Sequence, residues 1–375
     1  MEKIAVIGAG GWGTALSIVF SKKTDVILWE RFSEYAKILS STRENLEFLP
    51  GIKIPESVVI TNSIEDACSN SKTIIMAVPS RYFRSIIIEI KPFYRNQEIL
   101  IASKGIEPET GMRMSEILYN ETGCHNFAVI SGPTIAHEVA AGNPTAAVIA
   151  AGNIDLARKF QEMFSSEMFR LYTSNDVCGV EICGGYKNVL AIGSGIIDTL
   201  KLGDNTRAAY LTRGVHEMKN FGITLGAKEK TFWGLAGIGD LITTSISPTS
   251  RNHRFGKAIA AGKGNEFLSS TKMIVEGIFA SKAIIKMSKE NNKIFRSEAA
   301  LNSRLLNQHL TFIFQDSKGM FWIGSENNGL NLYDPIKNKM SVFSIQNGRI
   351  GSNQIASIVE DKKGNIFVGT LSGGL

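Results

Sequence analysis

The chain has few cysteines, no long apolar run and no dominant charge. Its four cysteines, Cys68, Cys124, Cys178 and Cys183, are scattered through 375 residues and form no metal-ligand spacing. That argues against a disulfide scaffold or a metal centre and suits a reducing cytosol. The first apolar segment is only Ile4 to Ile7, and no N-terminal stretch has the charged, apolar, small-residue order of a secretion signal. No uninterrupted apolar run approaches a membrane span. Lysine and arginine total 41 against 35 acidic residues, a net charge of +6. So mild a surplus suits a small anionic ligand as well as a polyanion, and decides little. A cytoplasmic location, a small-molecule substrate and no nucleic-acid partner are the expectations.

The length predicts two or three domains, and 43% hydrophobic with 20% charged residues is ordinary globular composition. Lys3-Ile4-Ala5-Val6-Ile7 is a short apolar run, the signal of a buried parallel strand. It leads into Gly8-Ala9-Gly10-Gly11-Trp12-Gly13 and then a helical pattern from Thr14 to Phe20. This is G-x-G-x-x-G between strand and helix. The glycines permit a tight turn and close backbone approach to a pyrophosphate, and the helix N-terminus favours its charge. Gly8, Gly10 and Gly13 are therefore candidate dinucleotide-binding positions in a Rossmann unit. A second strand, Asp25 to Trp29, ends at Glu30 and Arg31. Glu30 suits the ribose 2′-hydroxyl of NAD and Arg31 the 2′-phosphate of NADP, so the cofactor, NADH or NADPH, stays open.

Further strands are expected at Thr73 to Val78, Glu98 to Ala102 and Phe127 to Ile130, then at Ala146 to Ala150 and Phe169 to Thr173. Helical segments at Arg81 to Ile90 and Met112 to Asn120 alternate with them, which predicts a parallel, doubly wound sheet. Ligands of such sheets sit beyond the carboxyl ends of the strands, where Lys104 falls. After Asn175 helical patterns take over. Gly184 to Gly195 reads as a buried helix carrying Lys187, with Gly184, Ala191 and Ser194 on the same face. A buried lysine is costly unless paired or used; the alternative is a stem with its head in water. Leu211, Val215, Met218 and Phe221 mark another helix, with Gly222 placed as its cap. Asp240 follows three glycines in an apolar setting, as a helix cap or an active-site acid. Ser250-Arg251-Asn252-His253-Arg254 is a cationic knot suited to a phosphate.

Eight motifs carry a family resemblance: Gly8 to Gly13, Val78-Pro79-Ser80, Ser103-Lys104-Gly105, Ser131-Gly132-Pro133-Thr134, Gly184-Gly185-Tyr186-Lys187-Asn188, Gly237-Ile238-Gly239-Asp240, Ser250-Arg251-Asn252 and Val275-Glu276-Gly277. In this order they make residues 1 to about 295 resemble bacterial NAD(P)-dependent sn-glycerol-3-phosphate dehydrogenase. The resemblance implies reduction of dihydroxyacetone phosphate to sn-glycerol 3-phosphate for phospholipid synthesis, and is compatible with a homodimer. It implies Lys187 as proton donor and acceptor, with Lys104 and Asp240 beside it in the chemistry. It implies substrate contacts at Lys104, Gly132, Thr134, Lys187, Asp240, Ser250, Arg251 and Asn252. Dinucleotide contacts are implied at Gly11, Trp12, Arg31, Lys104, Ala136, Arg251 and Glu276. No residue is assigned to a metal.

The C-terminal part departs from that family. The resemblance fades around Asn292 to Ser297, where more helix would be needed to complete the domain. Ile313 to Gly324 then aligns without a gap on Ile358 to Gly369, a period of 45 residues, and Gly329-Leu330 matches Gly374-Leu375. Four short strands at such a period make a propeller blade, and the segment resembles two-component regulator propeller repeats. Asp316-Ser317-Lys318-Gly319 is expected as a hairpin turn and Trp322 as core. Fewer than two blades cannot close a ring, so a truncated fusion with an exposed tail is expected. The expected architecture is an N-terminal Rossmann domain over 1–175, an all-α substrate domain over 176–297, C-terminally truncated, and an incomplete propeller-like fragment over 298–375. Two other readings stand beside the dehydrogenase: a related hydroxyacid dehydrogenase, and an inactive fusion with a sensory or interaction role.

Overall fold

A computed structural model describes residues 2–271, 274–290, 310–325, 329–337, 339–361, 363–370 and 372. The chain divides into two compact units, Met1–Ile294 and Phe295–Leu375. The first is built on an eight-stranded sheet. Its order is Phe169–Ser174, Thr145–Ala151, Phe127–Ser131, Glu98–Ile101, Thr73–Met76, Lys3–Ile7, Asp25–Trp29 and Val59–Thr61. The short apolar runs form strands because both faces are covered: Ile4 and Val6 enter one core, Ala5 and Ile7 the other. On the first side Phe20 stacks on Phe164 at 4.0 Å between ring centroids.

The expected parallel order holds for six strands, but Thr145–Ala151 runs antiparallel to Phe127–Ser131. The link between them carries only the short helix Ala136–Ala140, too little for a parallel crossover. Phe169–Ser174 follows Thr145–Ala151 in parallel, through the helix Ile154–Phe164. Val59–Thr61 is an additional edge strand, built on the β-branched run Val58-Val59-Ile60-Thr61 that the sequence reading did not include.

Beyond the sheet every element to Glu290 is helical, as the pattern predicts. Val177–Thr199 is the hub, capped by Asp176, whose Oδ1 accepts from Gly179 N at 2.9 Å. Helices approach it where it or they lack a side chain. A Cβ on Gly195 would stand 2.0 Å from His253 O, one on Gly256 1.9 Å from Ile192 O, and one on Gly277 2.7 Å from Asn188 O. Gly222 is not a cap. It lies inside the helix Gly203–Thr224, where a Cβ would meet the Phe232 ring at 2.2 Å; the left-handed residue is Gly226, at φ +92°.

The second unit contains a four-stranded antiparallel sheet, Leu310–Gln315, Phe321–Ser325, Leu330–Asp334 and Lys339–Phe343, followed by the pair Ile355–Glu360 and Ile366–Thr370. The two repeats fold alike. Asp316 Oδ1 accepts from Lys318 N and Met320 N at 3.0 and 2.9 Å, and Asp361 Oδ1 accepts from Lys363 N and Asn365 N at 2.8 and 2.9 Å. Gly319 and Gly364 take φ of +77° and +82° in the equivalent turns. Trp322, expected as core, is half-buried and donates its indole N–H to Asp316 Oδ2 at 2.8 Å. The junction expected at Asn292 to Ser297, the 297/298 boundary and the Gly374-Leu375 match lie outside the described residues.

Gly256→Ala tests the helix crossing: the new methyl group meets a backbone carbonyl and is expected to destabilise by about 1–3 kcal/mol in denaturant titration. Gly152→Ala, with nothing within 4 Å of its Cβ, is the control and should stay within about 0.5 kcal/mol.

Candidate active site

Lys187 projects from the Val177–Thr199 helix and is 6% exposed. Gly184, one turn earlier, leaves the space beside it: a Cβ there would lie 3.2 Å from Ser131 Oγ and 3.6 Å from Lys104 Cβ. Ser131 ends the strand Phe127–Ser131, and Lys104 sits just past Glu98–Ile101, so the sheet's carboxyl edge abuts the hub helix. A π-helical turn, Leu235–Gly239, then delivers Asp240 at the start of Asp240–Ile246. Such turns recur at functional sites.

Asp240 joins the set. Its carboxylate is 2% exposed and lies between two ammonium groups. Lys187 Nζ donates to Oδ1 at 2.7 Å, and Lys104 Nζ donates to Oδ2 at 2.8 Å. Ser131 Oγ also donates to Oδ2, at 3.4 Å. Lys104 Nζ is held further by Gly132 O at 2.9 Å and Thr134 Oγ1 at 3.2 Å. Gly132 stands at φ +147°, where its backbone turns tightly over Ala147. Burial lowers the Lys187 ammonium to about 8; Asp240 opposes that shift and Lys104 reinforces it. Burial pushes Asp240 up, yet the two lysines outweigh it and hold the carboxyl below its ordinary value.

Sequence reasoning missed Thr244. Its hydroxyl accepts from Lys187 Nζ at 2.7 Å and donates to Asp240 Oδ1 at 3.2 Å. The available signal was its position four residues after Asp240 on one helix face.

The cationic knot is split. Ser250 caps the helix Arg251–Ala260, its Oγ accepting from His253 N. Arg251 is exposed, donates to Ile274 O at 3.3 Å, and is close enough to Lys187 to lower its basicity by repulsion. Asn252 is buried instead: Nδ2 donates to Asn188 Oδ1 at 2.8 Å and Oδ1 accepts from Gly277 N at 2.9 Å. Glu276 binds Ser80, accepting from its N–H at 3.1 Å and from its hydroxyl. Arg31 pairs with Glu89 at 2.9 Å.

The glycine loop fits a dinucleotide. Gly8 adopts φ +111°, and a Cβ on Gly13 would stand 1.9 Å from Gly8 O, so neither tolerates a side chain. A Cβ on Gly10 would project into open space, which leaves backbone exposed for a close approach. The helix Gly11–Phe20 has no side-chain cap and no acid in its first turn, so its N–H groups suit a pyrophosphate. Trp12 Nε1 is buried without a partner, and Ala136 lies 3.9 Å from where a Gly11 Cβ would be. No cluster of three or more His, Cys, Asp or Glu side chains suited to a metal occurs among the described residues.

Two family profiles match consecutive stretches of the chain: the NAD-dependent glycerol-3-phosphate dehydrogenase N-terminus over residues 3–157 and its C-terminus over 176–305. The chain belongs to the NAD-dependent glycerol-3-phosphate dehydrogenase family. A glycerol-3-phosphate dehydrogenase [NAD(P)+] of Pelotomaculum thermopropionicum is 43% identical over 295 residues, covering 77% of this chain and 84% of that one. The enzyme of the same name from Carboxydothermus hydrogenoformans is 42% identical over 291 residues, covering 76% and 87%. The crystal structure of glycerol-3-phosphate dehydrogenase from Coxiella burnetii superposes with a TM-score of 0.77 at 35% identity, covering 82% of this chain and 94% of that one. The resemblance read from the motifs is thus correct at the level of family, NAD(P) dependence and oxidoreductase class. Residues 349–372 match the two component regulator propeller repeat, in keeping with the antiparallel strands there.

Asp240→Ala would leave two uncompensated cations, one of them deeply buried, and is expected to destabilise by about 3–5 kcal/mol in chemical denaturation. Lys187→Met combined with Asp240→Leu should recover most of that loss.

Proposed function

We propose that the site interconverts dihydroxyacetone phosphate and sn-glycerol 3-phosphate, with Lys187 as the proton donor and acceptor. The observation that carries this is the buried Lys187–Asp240–Lys104 cluster at the sheet's carboxyl edge, on the side where the glycine loop opens. Gly8 to Gly13 would hold the nicotinamide cofactor, which when bound would supply the hydride for C2 of the ketone.

The chain's own residues then handle charge and position. As C2 is reduced, negative charge grows on its oxygen. Lys187 Nζ stabilises that charge and transfers a proton to it, and the neutral amine is reprotonated from solvent. Such assistance is worth roughly 10²–10⁴-fold. A lysine poised at about 8 supplies a proton near neutrality and takes one back in the oxidative direction. Asp240 keeps the ammonium charged and aimed. Lys104, tethered to Gly132 and Thr134, presents a second cation to the substrate oxygens. Ser250 and Arg251 hold the phosphate, which fixes C2 relative to the cofactor. Asn252 acts by fixing the turn that carries Arg251 against Asn188 and Gly277.

In this reading residues 1–175 bind the dinucleotide, 176–297 supply catalysis and phosphate binding, and 298–375 are a propeller-like appendage. Trp12, Ala136, Arg251 and Glu276 line the dinucleotide crevice. The reaction is cytoplasmic and supplies sn-glycerol 3-phosphate to phospholipid synthesis. No helix among the described residues is long and apolar enough to cross a membrane, which fits that location. The exposed Arg251 beside Lys187 favours a phosphorylated substrate over a plain hydroxyacid.

Oxidation of NADH and NADPH should be followed with dihydroxyacetone phosphate. Lys187→Ala is expected to lose at least ~10²-fold in kcat. Arg251→Ala should act mainly on KM for the phosphate ester, and unphosphorylated dihydroxyacetone should be a poor substrate. Equal rates in the native protein and Lys187→Ala would remove Lys187 from the mechanism.

A further inference from the structure

The helix that carries Arg251 meets the hub helix at one close crossing and two polar ties. At the crossing the backbones touch: a Cβ on Gly256 would stand 1.9 Å from Ile192 O, and one on Gly195 2.0 Å from His253 O. Glycine contacts set the distance between two helices but present no side-chain ridge to set their angle. The first tie is Asn252, whose Nδ2 donates to Asn188 Oδ1 at 2.8 Å. The second is His253, which the mechanism above does not use. It is 2% exposed, and its Nε2 lies 2.9 Å from Asp198 Oδ2. An ionised carboxylate only accepts, so Nε2 carries the proton and donates it. Nδ1 is then a bare acceptor, buried and without a partner among the described residues. Burying a polar atom unmet costs free energy that an apolar side chain would avoid, so packing alone does not call for a histidine here. Asp198 is itself fixed: Oδ1 accepts from Arg207 Nη1 at 2.7 Å, and Lys257 Nζ stands 3.7 Å from Oδ2.

We propose that His253 is a positioning residue for the substrate phosphate: anchored on Asp198, it fixes the angle of the Arg251–Ala260 helix and so the place of the Arg251 guanidinium. This rests on the dehydrogenase reading above, in which Arg251 binds that phosphate. Asn188 and Asp198 lie on either side of Ile192 along the hub, roughly 15 Å apart at a helical rise of about 1.5 Å per residue. Ties on both sides of a crossing stop the swivel that either one alone would leave. Arg251 opens the helix and is joined to both ties through its two neighbours, so a swivel displaces it at the phosphate. The guanidinium's own tether is long, from Nη1 to Ile274 O at 3.3 Å, so its position depends on the helix beneath it. A displacement of about 1 Å is enough to spoil aligned binding.

A double-mutant cycle with Arg251→Ala, read by steady-state reduction of dihydroxyacetone phosphate with the full chain, tests this. His253→Leu keeps the bulk and removes the donor. It should raise KM for dihydroxyacetone phosphate about tenfold, with a smaller fall in kcat. In the Arg251→Ala background the same change should raise KM by less than about twofold, because its effect acts through Arg251. His253→Gln returns an N–H towards Asp198 and should bring KM back to within about threefold of the native value. Asp198→Ala removes the acceptor and should raise the same KM, which keeps the test decisive if position 253 does not tolerate change. A KM that stays at the native value in both His253→Leu and Asp198→Ala, or a rise as large without Arg251 as with it, overturns the proposal and leaves the phosphate reading standing. If Arg251→Ala alone leaves KM in place, the phosphate reading fails and this proposal fails with it.

Discussion

One buried carboxylate holds this site together. Asp240 accepts from two lysines that arrive from different parts of the fold, Lys104 from the sheet edge and Lys187 from the hub helix. Neither cation is comfortable there alone, because removing an ammonium from water costs far more than burying a neutral group. Shared, the carboxylate compensates both and leaves Lys187 neither fully basic nor neutral. The same three residues therefore lock helical elements to sheet and lower the basicity of Lys187, the proposed proton donor.

The surrounding elements exist to let those side chains meet. Gly184 opens the hub helix towards Ser131 and Lys104, and the π-helical turn aims Asp240 at them. Gly195, Gly256 and Gly277 let the helices Arg251–Ala260 and Glu276–Glu290 pack backbone to backbone against the hub, which places Arg251 near Lys187. Close-packed interiors transmit even a one-methyl change, so these glycines bear on geometry some distance away.

Much of this was legible in the sequence, because apolar runs ending in tight turns identify strands and their functional edge together. The family and the cluster Lys104, Lys187 and Asp240 followed from motif order. Other features depend on tertiary partners that no local pattern reveals. The reversed direction of Thr145–Ala151 is invisible because alternation reads the same both ways. Gly222 looked like a helix end but makes room for the Phe232 ring. Asn252 has the composition of a phosphate ligand, yet its amide is engaged with Asn188 and Gly277. Glu30 and Arg31 leave the cofactor open in the sequence, and the pairing of Arg31 with Glu89, far away in the chain, is visible only in the fold.

The central claim is that Asp240 and Lys104 set the proton affinity of Lys187, and the pH dependence of kcat for dihydroxyacetone phosphate reduction tests it most directly. With Lys187 as the proposed proton donor, reduction needs its protonated form, so the rate should fall as pH rises through about 8. Asp240→Asn removes the charge that favours the ammonium and should move that fall to lower pH. Lys104→Met removes a repelling cation and should move it to higher pH. Shifts in these opposite directions are the predicted result; an alkaline limb that stays in place in both variants would contradict the account.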